Sequence, residues 1–175
     1  MTDGPEVSVP DAPESTGVDA LLARLPDAVC EERTFASSAT TYFAIQIPSD
    51  EWIGFIEAAK TEGFDTFIDL LAVDHYSDAP RFEVTANLLS MSNKQRILVS
   101  TRVPYDDPTI PSITGVFAGA NFYEREAFDL VGVTFIGHPD LTRILLPDDW
   151  EGHPLRKDYK IGAIPVEFKA GSTDL

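Results

Sequence analysis

Residues 66–103, TFIDLLAVDHYSDAPRFEVTANLLSMSNKQRILVSTRV, read as three strands in succession. Thr66–Asp74, Phe82–Leu89 and Gln95–Val103 are rich in Val, Ile, Leu, Phe and Thr, and polar or turn-forming clusters bound each run. Ser90–Lys94 is short and polar, as a hairpin connection requires. No helical stretch fits between these strands, so the chain is not a regular βαβ repeat.

Upstream, Glu51–Glu62 carries Trp52, Phe55, Ile56 and Ala59 at helical spacing. Ser49 or Asp50 is placed to cap this helix, and Gly63 to end it. Before it lie two strand-like runs, Ala28–Phe35 and Thr41–Ile47, joined by the polar turn Ala36-Ser37-Ser38. A short helix presenting Leu21, Leu22 and Leu25 stops before Pro26. Residues 1–16 hold three prolines, four acids and no base, and read as a disordered acidic leader. Downstream, Pro104–Pro111 is a loop with three prolines, and Val116–Val131 is the next helix. About 43 residues of turns and short apolar runs follow Gly132, too many for an ordinary loop. They must wrap this domain or lie on a neighbour.

The order α-β-β-α-β-β-β-α-tail predicts a two-layer α+β domain over residues 17–132, with an extended docking tail over 133–175. A chain of 175 residues and 19.2 kDa buries roughly 70% of its unfolded surface, enough for one core without disulfides. The formal charge is −16, from 13 basic and 29 acidic residues, which argues against binding a phosphate backbone. The charge is uneven: −13 over residues 1–80 and −3 over 81–175. The near-neutral back half is therefore the half suited to docking.

Several function classes find no support. There is no Gly-x-Gly-x-x-Gly and no P-loop, so no nucleotide-phosphate cradle is expected. One cysteine, Cys30, cannot build an iron–sulfur or all-cysteine zinc site. No apolar run is long enough to cross a bilayer, and no secretory signal is expected at the N-terminus. His138 and His153 each sit in Gly-His-Pro, fifteen residues apart. With Asp140 or Asp158 they could hold a metal, but the spacing fits no zinc template, and turn histidines are the favoured reading.

Chemistry concentrates in Asn121–Tyr159, NFYEREAFDLVGVTFIGHPDLTRILLPDDWEGHPLRKDY. On a helix, Asn121, Arg125 and Asp129 line up at i, i+4 and i+8, with Glu124 and Glu126 flanking Arg125. This is either a solvated face or a charge cluster that holds the following turns or a partner chain. Arg156-Lys157-Asp158-Tyr159 is likewise a solvated tail or a docking strip anchored by Tyr159.

Glu124-Arg125-Glu126-x-x-Asp129, Gly137-His138-Pro139-Asp140-Leu141 and Gly152-His153-Pro154-Leu155-Arg156-Lys157-Asp158-Tyr159 resemble motifs of the respiratory complex I 30-kDa subunit family, the C subunits of type-1 NADH–quinone oxidoreductase. Asp69-Leu70-x-x-Val73-Asp74, Arg81-Phe82-Glu83-Val84, Pro111-Ser112-Ile113 and Ala120-Asn121-Phe122 extend the similarity over about residues 50–160. Thr142-Arg143 stands where the family usually has paired arginines.

The resemblance implies a mixed sheet with a long C-terminal extension. It also implies a structural role in the hydrophilic arm of a complex that passes electrons from NADH through FMN and iron–sulfur clusters to quinone. Those cofactors belong to partner subunits, and none is expected on this chain. The implied partners are subunits B and D and other hydrophilic-arm subunits. The implied location is the cytoplasmic side of the cell membrane, peripheral and held through the complex. No catalytic, cofactor or metal residue is expected. Glu124, Arg125, Glu126, Asp129, His138, Asp140, Arg143, His153, Arg156, Lys157, Asp158 and Tyr159 are the candidate docking or structural residues, and Arg156 is expected to grip a partner's carboxylate or carbonyls. Two other classes are a subunit of a related membrane-bound hydrogenase or of a ferredoxin- or F420-linked complex, and a stand-alone metal-dependent enzyme.

Overall fold

A computed structural model describes residues 17–36 and 41–160. The expected leader (1–16), part of the expected turn (Ser37 and Ser38) and the end of the expected tail (161–175) lie outside the described residues.

The three strands of residues 66–103 form where alternation and turn chemistry place them: β3 (Thr66–Asp74), β4 (Phe82–Ser90) and β5 (Gln95–Val103). Each pairs antiparallel with the next. Before them come α1 (Gly17–Arg24), β1 (Val29–Thr34), β2 (Thr41–Gln46) and α2 (Trp52–Thr61). β1 pairs antiparallel with β2, and β2 pairs parallel with β5. The sheet order is therefore β1-β2-β5-β4-β3, and the sheet is mixed.

Period-two alternation sorts the side chains. Phe82, Val84, Ala86 and Leu88 of β4 and Ile97, Val99 and Val103 of β5 are buried. Val18 and Leu21 of α1 and Trp52, Phe55, Ile56 and Ala59 of α2 join them in one core. On the opposite face, Leu71 and Val73 remain exposed. The result is the expected α+β layering, and burial of these side chains is its main stabilising term.

Four details differ from the sequence expectation. Neither Ser49 nor Asp50 caps α2 through its side chain; the chain enters it from Pro48 through a 3-10 turn at Ser49–Glu51. α3 spans Ala120–Val131 and starts after Gly119 rather than at Val116. Residues 113–120 instead close turns, with Val116 and Phe117 N–H both donating to the Ile113 carbonyl. Two three-residue strands, β6 (Thr109–Pro111) and β7 (Thr134–Ile136), pair in parallel inside segments expected to be irregular. Such strands carry one inward side chain each, Ile110 and Phe135, so they show no periodicity. Finally, the core does not stop at residue 132: Val133 and Phe135 are buried within it.

Candidate functional site

α3 ends at Val131, and Gly132 adopts a left-handed conformation, φ 83°. This conformation favours glycine and ends helices. The chain then turns back, and residues 137–159 run over the outer side of α3 and the β3–β4 end of the sheet as a strap. Two carboxylates hold that strap.

The first is Asp129, whose side chain is fully buried. Its Oδ2 accepts the backbone N–H groups of Ile144 (3.0 Å), Leu145 (2.8 Å) and Leu146 (2.9 Å). Its Oδ1 accepts Nη1 of Arg143 at 2.6 Å. Burial alone would raise this carboxyl's pKa. The N–H groups of Leu146 and Leu145, then Arg143, outweigh it and bring the value down to about 2. Arg143 also donates to the carbonyls of Asp129 and Gly152. One turn earlier, Arg125 donates to the Thr142 carbonyl and hydroxyl and to the Arg143 carbonyl. The i, i+4 pair on α3 thus grips the turns that follow it.

The second is Asp74 at the end of β3. It takes a bidentate pair from Arg81, with Nε and Nη2 each at 2.8 Å. It also accepts the N–H of Tyr76 at 2.8 Å and of Lys157 at 2.7 Å, which pins the strap to the sheet. The Arg81 guanidinium holds Asp74 well below the usual carboxylate range. The spare face of Arg81 takes Asp158, Nη1 to Oδ2 at 2.9 Å. Asp74 and Arg81 stand outside the residues that sequence spacing marks as a site. Their signal is the β3–β4 hairpin, which brings positions seven apart together.

Arg156 lies between these anchors. Its Nε donates to the Val131 carbonyl at 2.6 Å and its Nη2 to the Gly132 carbonyl at 3.3 Å. Its guanidinium also stacks over Phe82, 5.0 Å from the ring centroid. The carbonyls it grips are the chain's own, so Arg156 braces its own domain. A Cβ at Gly132 would fall 2.3 Å from Arg156 Nη2 and 2.6 Å from the His153 ring. Gly132 is needed for this close approach as well as for its φ.

Both turn histidines are engaged. His153 Nδ1 lies 2.9 Å from the Asp129 carbonyl, a contact that requires its proton on Nδ1. Burial is the main cause of its lowered pKa, which keeps the ring neutral. His138 Nε2 donates to the Asn121 carbonyl at 3.2 Å, while its Nδ1 accepts the Asp140 N–H at 3.0 Å. Among the described residues no group of three or more His, Cys, Asp and Glu side chains could hold a metal ion. Tyr159 packs on Gly152, where a Cβ would sit 2.9 Å from the ring. Glu126, Asp140 and the Lys157 side chain face solvent. Glu124, expected beside Arg125 on a polar face, is instead fully buried.

The ionic work is done on the inner side of the strap, and apolar side chains are left outside. Ile144, Leu145 and Leu155 are exposed, as are Phe122 and Tyr123 on α3 and Ile136 on β7. An apolar groove of about 120 Å³ lies between β3 and α3, with Leu71, Tyr123, Leu130 and Leu155 on its walls. Among the described residues no helix is long and apolar enough to cross a membrane.

Comparison with known proteins agrees with this geometry. The NADH-quinone oxidoreductase C subunit of Roseiflexus sp. (strain RS-1) is 41% identical over 154 residues, 88% of each chain. The protein of the same name from Roseiflexus castenholzii is 40% identical over 148 residues, 85% of this chain and 84% of that one. Among solved structures, a trypsin-resistant fragment (1–134) of Nqo5 superposes with a TM-score of 0.63 at 28% identity, covering 71% of this chain and 99% of the fragment. The membrane-bound sulfane sulfur reductase, an archaeal respiratory membrane complex, contains a chain that superposes with a TM-score of 0.72 at 25% identity, covering 83% and 85%. Residues 45–164, which include both carboxylate anchors and the strap they hold, match the family described as respiratory-chain NADH dehydrogenase, 30 Kd subunit, and the chain belongs to that family.

Proposed function

We propose that this chain is a non-catalytic subunit in the hydrophilic arm of a proton-translocating NADH-quinone oxidoreductase. It braces the quinone-site subunits B and D while electrons pass from NADH through FMN and iron–sulfur clusters, all held by other subunits, to quinone. It sits on the cytoplasmic side of the cell membrane through those partners. One observation carries this reading. Arg125, Asp129, His138, Arg143, His153 and Arg156 are spent on the chain's own backbone, while Ile144, Leu145 and Leu155 stand outward on the path those residues fix. A rigid backbone presenting exposed apolar side chains is what a docking surface requires, since little ordering entropy is lost on association.

The test is a Leu145→Asp, Leu155→Asp double variant. The isolated chain is expected to melt within about 2 °C of the wild type, because both side chains are exposed. Its affinity for the partner subunits is expected to fall at least tenfold (roughly 1.4 kcal/mol or more), with assembled quinone reductase activity falling in proportion. Unchanged assembly would refute the docking role of this surface.

The likeness to a chain of the sulfane sulfur reductase complex favours a second reading, the equivalent subunit of a related membrane-bound complex with a different electron donor. Assaying the purified complex with NADH and with reduced ferredoxin separates the two.

A further inference from the structure

Among the described residues, Glu124 is the one ionisable side chain that plays no part in holding the strap and yet is fully buried. Its Oε1 accepts the Ile113 N–H at 2.7 Å, and its Oε2 lies 2.6 Å from Ser112 Oγ. Ser112 Oγ is in turn 2.7 Å from Thr114 Oγ1, in a pair where either oxygen can be the donor. Ser112 Oγ also accepts the Thr114 N–H at 3.2 Å. Ser112 and Thr114 are both half-buried, so the line of oxygens runs from the interior towards solvent.

We infer that Glu124 is a proton-binding site, served by a hydroxyl relay through Ser112 that opens to water at Thr114. The geometry satisfies every group in both charge states. With the carboxylate ionised, Thr114 donates to Ser112 and Ser112 donates to Glu124. With the carboxyl protonated, Glu124 donates to Ser112 and Ser112 donates to Thr114; the Ile113 N–H bond is kept throughout. Passage between the states takes one proton from water at Thr114. Each hydroxyl gives up its own proton inward and accepts one from outside, so the net change is one O–H bond formed at Glu124 and one broken in the donor water. A buried polar group is tolerated only when it is satisfied, and here neither state leaves an orphan.

Among the described residues no charged side chain bonds to the Glu124 carboxyl, whose partners are the Ser112 hydroxyl and the Ile113 N–H. On α3, Arg125 is committed to Thr142 and Arg143, Asp129 to Arg143 and the strap, and Glu126 is exposed. On α2, Lys60 donates to the Val116 carbonyl. On β3, Asp74 is held by Arg81, and Asp69 is the other ionisable residue of that strand. β6 and β7 carry no ionisable residue, and His138 beyond β7 donates to the Asn121 carbonyl. Without an ion pair to the carboxyl, burial decides. It raises the Glu124 pKa to about 7 against the opposing bonds from Ser112 and Ile113.

The experiment is a pH titration of the full chain, following the Glu124 carboxyl by infrared difference spectroscopy or side-chain carbon NMR. Glu124→Gln, which is neutral and nearly isosteric, assigns the signal by its loss. A midpoint between about pH 6 and 8 is expected. Ser112→Ala removes the donor to the ionised form and is expected to raise the midpoint by roughly one pH unit. Thr114→Val is expected to slow proton exchange at the site while leaving the carboxyl in place. Titration below about pH 5, or a proton that never leaves, overturns the site. A Ser112→Ala midpoint and exchange rate equal to wild type overturn the relay. Should Ser112→Ala fail to fold, a Thr114→Val exchange rate equal to wild type overturns the relay, and the titration of the unsubstituted chain decides the first point.

Discussion

Replacing Asp129 by Asn tests the strap anchor directly. The amide keeps the shape of the carboxylate and loses its charge. One of its two terminal atoms becomes a donor, which must face either Arg143 Nη1 or the three N–H groups of residues 144–146. The drop in pKa from 3.8 to about 2 corresponds to roughly 2–3 kcal/mol of stabilisation that only the ionised form receives. Leaving the largely buried Arg143 without its counter-ion adds to this, so Asp129→Asn is expected to cost about 3 kcal/mol. For a chain of this size that is a fall in Tm of about 6–12 °C. The folded pKa lies below the unfolded one, so the contribution is fully present above about pH 4 and is lost as pH falls towards 2. The wild type should therefore lose its excess stability over the variant across that window. Thermal melts at pH 7 and pH 3, with limited proteolysis mapped to residues 140–150, read both effects. A variant that melts within about 1 °C of wild type at pH 7 and is cleaved no faster in the strap would show that the carboxylate does not hold it.

Two further substitutions probe the same region. Gly132→Ala forces a Cβ into φ 83° and against Arg156 and His153, and is expected to cost about 2 kcal/mol and to release residues 153–159 to protease, whereas an unchanged digest would mean Arg156 is free to move aside. Arg81→Ala leaves Asp74 buried without its counter-ion and is expected to destabilise by about 3–5 kcal/mol in urea unfolding; an Arg81→Lys variant as stable as the wild type would show that the bidentate geometry is unimportant.

The three central strands are legible in the sequence because each is nine residues long and flanked by polar turns, so local chemistry alone defines them. β6 and β7 are not, because their pairing joins Thr109 to Thr134 across 25 positions and leaves one buried side chain per strand. The parallel β2–β5 contact is equally non-local, and the mixed sheet is implied by family resemblance rather than by the residues. At the site, sequence spacing places Arg125 and Asp129 on one helical face and leaves open what they hold. The acceptors and donors they use are main-chain groups of residues 142–146, which no side-chain pattern reveals. Glu124 is misplaced by sequence spacing for a related reason. It is adjacent to Arg125, and only the loop at Ile113 folding across α3 makes its position interior.

The Asp129 cradle has a consequence for how such a surface can diversify. Its oxygen contacts residues 144–146 only through their N–H groups, a feature common to every amino acid except proline. The path of this segment is therefore indifferent to which side chains it carries. Ile144 and Leu145 can be exchanged for residues of other shape or charge without disturbing the bonds that fix their position. Fit to a new neighbour and integrity of the fold are written at different positions, so the one can drift while the other is kept.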